Sequence, residues 1–260
     1  MDPAQQKTLE EGFGKLLVAE DTVAFIAMME AMTVQGVFEV SAGVTDELYE
    51  IIRNKHARGI RVEVGNKESI INIPICVIYG FDIRQIARNI QSRVARAVED
   101  ATELLVKEIN VTVNDIKFAK ADEVEVSPEK HKEKAELENL PGCCGAINIT
   151  EYVVAWIAKT QALEVNGVAE LSSGIAGEIA GLISKRNEAR GVKVEAGQKE
   201  VLIDLFIVAQ YGCRVPDVAY ETQEKVKAKV EQLTGFTVKE VNVTVQGIDF
   251  ENDFVPGKSE

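Results

Sequence analysis

Cysteine and histidine are scarce: four cysteines (Cys76, Cys143, Cys144, Cys213) and two histidines (His56, His131) in 260 residues. No Cys-x-x-Cys pair occurs, and a structural or catalytic metal site needs such residues clustered. The adjacent Cys143 and Cys144 read as small residues at the entry to the second half of the chain, with soft-metal binding or redox chemistry as the alternative. A Ser-His or Cys-His nucleophile would have to use one of the two histidines as its base. Neither P-loop nor Gly-rich dinucleotide fingerprint follows any strand pattern. No catalytic residue and no cofactor is therefore expected. Long apolar runs are missing too. The most apolar stretches, 70–79 and 201–211, are interrupted by Asn72, Pro74 and Asp204, and a membrane span needs about 18 apolar residues. The first twenty residues lack the basic-then-apolar order of a signal peptide. These absences predict a cytoplasmic, reduced chain with no direct membrane insertion.

Positive charge is the last shortage. The chain carries 29 Lys and Arg against 42 Asp and Glu, a net charge of -13. The deficit is spread along the chain: -4 over 1–120, -4 over 121–142 and -5 over 143–260. An evenly acidic surface repels phosphate backbones and anionic lipid heads, so no specific nucleic acid is expected.

What is present is a repeat. Shifted by 131 positions, Gly36-Val37 meets Gly167-Val168 and Gly43 meets Gly174. Beyond Arg190 the shift is 132, and Tyr79-Gly80 meets Tyr211-Gly212. VKEINVTVNDIKF (106–118) meets VKEVNVTVQGIDF (238–250), identical at nine of thirteen positions. Each copy, of roughly a hundred residues, is large enough to close its own core. The fold class expected is α+β, two similar domains, each a small mixed sheet packed against helices. The domains are placed at 12–119 and 143–251, with a charged linker at 120–142 and a tail at 252–260.

Within each copy the pattern predicts one series of elements. A short strand (16–18, 147–149) leads into a helix (20–32, 151–163), where Phe25 and Trp156 correspond and are expected to pack. A strand follows Gly36 and Gly167. A second helix places Val44, Leu48, Ile51 and Ile52, or Ile175, Ile179, Leu182 and Ile183, on one stripe. A hairpin then turns at Gly65 and Gly197. Its long return strand buries Ile71, Ile73, Ile75 and Val77, or Ile203, Leu205, Ile207 and Ala209, by strict alternation. Pro74 lacks an N–H and predicts an edge or a bulge there. Cys76 and Cys213 are expected half-buried at the strand end. A long helix carries Ile86, Ile90, Val94 and Val98, matched by Val218, Thr222, Val226 and Val230. Pro216 suits its first turn and Gly235 its end. The last strand alternates Ile109, Val111 and Val113 against Val241, Val243 and Val245, all read as core. The linker motif Ser127-Pro128-Glu129 reads as a helix start in a solvated spacer.

Two surface features remain. Gly142-Cys143-Cys144-Gly145 matches the GxxG of KH domains, but it lacks basic residues and a twin. Arg84, Arg88, Arg93 and Arg96 lie on the long helix of the first copy. They read as a solvated helix face or as a surface for an anionic partner.

The stretch from Gly191 to Ile248 closely resembles the alkaline-shock, or envelope stress response, family of Gram-positive bacteria. The resemblance rests on the hairpin 192–211, the Tyr211-Gly212 step and Val215-Pro216. It also rests on Leu233-Thr234-Gly235 and the final Val-x-Val-x-Val-x-Gly of 241–247. The first copy departs at Arg84, Glu103 and Asp115. The resemblance implies a stress-associated structural or adaptor protein without catalysis. It implies a location peripheral to the membrane through a small membrane-anchored protein partner; self-association is a further expectation. The alternative is a nucleic-acid or small-ligand binding module on the Arg84–Arg96 face.

Overall fold

The computed structural model describes residues 9–11, 14–16, 18–40, 59–65, 68–118, 145–172 and 190–250. The helices expected over 44–52 and 175–183, the linker 120–142, His56, His131, Cys143 and Cys144 lie outside these residues. The chain divides into two compact units, 1–150 and 151–260, and both are α+β.

The first unit opens with an antiparallel hairpin of Leu9–Glu11 (β1) and Gly14–Leu16 (β2). Helix Glu20–Met32 (α1) follows, then Val37–Val40 (β3), Arg61–Val64 (β4) and Glu68–Ile78 (β5). Helix Ile83–Thr102 (α2), strand Leu105–Lys117 (β6) and strand Ile147–Ile149 (β7) complete it. The sheet runs β3-β5-β6-β7, with β4 also on β5. Strand β5 is antiparallel to β3 and β4 but parallel to β6. The parallel pair is possible because α2 carries the chain back across the sheet.

The second unit repeats the plan. It contains Glu151–Leu163 (α3), Val168–Leu171 (β8), Val192–Ala196 (β9), Glu200–Gln210 (β10), Val215–Thr234 (α4) and Thr237–Asp249 (β11). Its sheet runs β11-β10-β8 with β9 on β10.

Period-two burial organises both cores. Ile71, Ile73, Ile75, Val77 and their twins Ile203, Leu205, Ile207, Ala209 are all fully buried. The helices α2 and α4 press onto that face with Ile86, Ile90, Val94 and Val98, and with Val218, Thr222, Val226 and Val230. The side chain of Asp82 caps α2 by accepting from the Gln85 N–H at 3.0 Å. Gly36 and Gly167 hold φ near +93° and +95° at the turn into β3 and β8. A Cβ there would stand 2.6 Å from Ile86 Cδ1 and Val218 Cγ2, so only glycine lets the turn close on the helix. The Tyr79 and Phe118 rings meet edge to face at 5.2 Å where β5 and β6 end, as Tyr211 and Phe250 meet at 5.0 Å.

Four features differ from the sequence-based expectations. Pro74 does not lie on an edge strand, because β5 is paired on both sides. It falls between the residues that pair with β4 (69–72) and those that pair with β3 (75–77). Its twin Phe206 donates its N–H to Gly191 O across the matching gap; the first unit dispenses with that one bond. Cys76 is fully buried rather than half-buried, and Cys213 sits in the turn beyond β10. Phe25 is 44% exposed instead of packed. Finally, Val243 and Val245 are only half-buried, whereas Val111 and Val113 are at 0%.

That last difference has a physical cause. Strand β7, which opens the second sequence copy, pairs in parallel with β6 in the first unit. Ile147 and Ile149 lie beside Val111 and Val113 on the same face and cover them. Among the described residues no strand covers the corresponding edge of β11.

Candidate functional site

The described surface offers three places where chemistry or binding could concentrate: the arginines of α2, the outer face of α1 and the outer edge of the last strands. At 100° per residue, α2 splits the four arginines. Arg84 and Arg88 are exposed on one flank. Arg93, a half-turn away, turns to α1, and its Nε donates to Glu30 Oε1 at 2.8 Å. Arg96 lies on the solvent side, 3.8 Å from Asp100. The helix therefore does not gather them into one basic patch. In the second unit Lys225 of α4 pairs with Glu221 at 2.6 Å.

The outer face of α1 is apolar. Phe25, Met29 and Met32 follow at i, i+4 and i+7, so they form one line, and they are 44%, 53% and 47% exposed. The buried side of the same helix carries Val23, Ala24, Ala27 and Ala31. Helix α1 is thus apolar nearly all round, a pattern normally seen in helices buried on every side. The methionines are flexible and polarisable, which suits a surface that must adapt to a partner. In α3 the corresponding line is Trp156, Thr160 and Leu163, more polar and partly covered. The sequence signal for this site was available: Phe25, Met29 and Met32 have helical spacing, but spacing alone does not say which side of an apolar helix faces out.

Along β6 and β11 the outer edge is organised by one glutamine from each long helix. Gln91 Nε2 donates to Ile109 O at 2.9 Å, and Gln223 Nε2 to Val241 O at 2.8 Å. At the next residue along each strand, Asn110 Nδ2 donates to Asn72 Oδ1 at 3.1 Å, and Asn242 Nδ2 to Asp204 Oδ1 at 2.9 Å.

Thiol chemistry is muted where it can be seen. Burial, with the carboxylates of Asp115 and Glu39 adding to it against a smaller effect of Lys117, pushes the Cys76 thiol up to about 12. It stays protonated and unreactive. Among the described residues no group of three or more His, Cys, Asp or Glu is placed to hold a metal. No described helix is long and apolar enough to cross a membrane.

The two units share one α+β plan, and the first carries an exposed apolar line on α1. The chain belongs to the alkaline shock protein 23 family, which has a cell envelope-related function, and matches it twice, over residues 8–118 and 141–250. It is 34% identical to the Bacillus subtilis protein YloU over 110 residues, which is 42% of this chain and 92% of YloU. It is 32% identical to B. subtilis YqhY over 107 residues, 41% of this chain and 79% of YqhY. A Streptococcus pyogenes homologue of the stress response regulator Gls24 is 30% identical over 111 residues, 42% of this chain and 62% of that protein. The resemblance to an alkaline-shock, envelope stress family is thereby borne out for both copies. No solved structure matches the chain.

Proposed function

We propose that this protein is a non-enzymatic adaptor that works by protein–protein contact at the cytoplasmic face of the cell envelope. Its anchor is a small membrane-anchored protein. The observation that carries this reading is the line of Phe25, Met29 and Met32 on α1. Contiguous exposed apolar side chains of this size are a docking signature in a soluble domain. An amphipathic segment of the anchor laid along α1 would bury them in the manner of helix-in-groove recognition. The family's envelope-related function supports the location. The net charge of -13 disfavours direct adsorption to an anionic leaflet. Arg84 and Arg88, exposed beside this helix pair, are proposed contacts for acidic residues of the anchor. The nucleic-acid or small-ligand alternative draws less support, because Arg93 is engaged by Glu30 and the four arginines do not share a face.

The test is fractionation of source cells beside flotation of purified protein on protein-free anionic vesicles. Partial recovery with cell membranes, no binding to the vesicles, and release of Met29→Glu to the soluble fraction are expected. Strong vesicle binding would rule out the protein anchor. Wholly soluble recovery at rest and under envelope stress would overturn the envelope role.

A further inference from the structure

The first unit shows how the outer edge of a last strand is filled. Strand β7 lies parallel to β6 with Val111 opposite Ile147, Thr112 opposite Asn148 and Val113 opposite Ile149. Val111 N–H donates to Ala146 O at 2.9 Å, and Thr150 N–H donates to Val113 O at 3.1 Å. The Ala146 N–H donates to Asn110 Oδ1 at 2.8 Å. Just before the strand, Gly145 lies against the backbone of Ile109. A Cβ on Gly145 would fall 2.0 Å from Ile109 O and 2.6 Å from its carbonyl carbon. Any residue other than glycine would push the strand off.

The second unit carries the same acceptor without an occupant among the described residues. Asn242 holds Asp204 through Nδ2 as Asn110 holds Asn72, which leaves Oδ1 of Asn242 in the accepting role of Asn110 Oδ1. Gln223 marks the same carbonyl as Gln91. Val243 and Val245 stay half-exposed where Val111 and Val113 are sealed. The chain's own β7 is already taken up by β6.

A matching donor exists at the front of the chain. Gly14 stands 131 positions before Gly145 and Leu16 131 before Ile147, the same shift that relates α1 to α3. Each glycine precedes its helix start, Glu20 or Glu151, by six residues. Among the described residues strand β2 is paired with β1 alone, and a two-stranded hairpin by itself is marginal in water. From this we infer that β11 accepts strand β2 of a second copy of this chain, in parallel and in the register that β7 has on β6. The joint is head to tail, so each copy retains one donor and one acceptor. Gly14 serves it as Gly145 serves the joint inside the first unit. The inference does not depend on the envelope role.

Sedimentation velocity of the full chain tests it over a hundredfold range of concentration, with two variants. Gly14→Val blocks the donor. Val243→Pro removes the acceptor N–H, which, like that of Val111, points away from the neighbouring strand and so is not used inside the unit. The average mass of the native chain rises with concentration, and each variant alone stays monomeric. An equimolar mixture of the two forms a dimer and nothing larger, since only one intact donor and one intact acceptor meet. A native chain that is monomeric throughout would overturn the proposal; that is also the result if a strand of another protein takes this edge. Association of Gly14→Val equal to that of the native chain would overturn it as well, and this variant decides the matter should Val243→Pro unfold. Circular dichroism and the membrane fractionation above, run on the same samples, separate this failure from a failure of the anchor reading.

Discussion

Gln91 donates to the carbonyl of Ile109 at 2.9 Å from a side chain that is 7% exposed. Its twin Gln223 makes the same bond to Val241, but from an exposed position. The two bonds share geometry and differ in solvent. Gln91→Ala leaves the Ile109 carbonyl without its partner under the cover of β7, at a cost of about 1–3 kcal/mol. Gln223→Ala lets water take the place of the amide and costs less than about 1 kcal/mol. Urea denaturation of the two full-length variants reads the difference; equal losses would show that both edges are equally dry.

The same asymmetry governs the valines of the last strands. Val111→Asp puts a carboxylate at a site with no exposure, which costs several kcal/mol, on the order of the unit's whole stability. Val243→Asp places it at a half-exposed edge and costs about 1–2 kcal/mol, measured at a dilution where chains do not associate. Hydrogen exchange followed by mass spectrometry assigns the loss to one unit or the other. Unfolding of the second unit by Val243→Asp would contradict the exposure described above.

Glu103 holds φ +56° at the end of α2, where Gly235 holds +63° at the end of α4. A left-handed conformation is strained for a residue with a Cβ, by roughly 1–2 kcal/mol, while glycine has a larger entropy to lose on folding. Glu103→Gly is expected to raise the stability of the first unit by about 0.5–1 kcal/mol. The matching change Gly235→Glu lowers the second unit by a similar amount. Thermal melts of both variants check the pair, and a destabilising Glu103→Gly would show that the Glu103 side chain supplies more than its backbone costs.

The Cys76 thiol, raised from 9.0 to about 12, gives a pH dependence of defined sign. Below pH 9 the thiol is protonated in both folded and unfolded chains and contributes no slope. From about 9 to 12 the unfolded chain releases the proton and the folded one keeps it, so stability falls as pH rises. The slope is about 1.4 kcal/mol per pH unit. Cys76→Val, which copies the twin residue Val208, removes this slope. Urea midpoints of the native chain and the variant at pH 8 and pH 10 measure it; parallel curves would mean that Cys76 ionises in the folded state.

The sequence by itself determined what depends on periodicity and on local backbone chemistry. Alternation fixed the buried faces of β5 and β10, since side chains of a strand point to opposite sides. Four-residue spacing fixed the inner stripes of α2 and α4. The repeat shift tied each element to its twin, and Gly235 marked the end of α4. Only the tertiary structure decided how strands lie side by side. Pro74 is tolerated in a central strand because two partners of β5 meet at that point, which no local pattern encodes. Phe25 faces outward because α1 is apolar on both sides and packing against α2 selects one of them. Val111 and Val243 have matching sequence surroundings, yet only Val111 is sealed. Its cover, Ile147–Ile149, comes from more than thirty residues further along the chain and joins β6 by backbone bonds that the alternation within β6 does not encode. Burial at that edge is a property of the neighbouring strand, so it was legible only once the sheet was assembled.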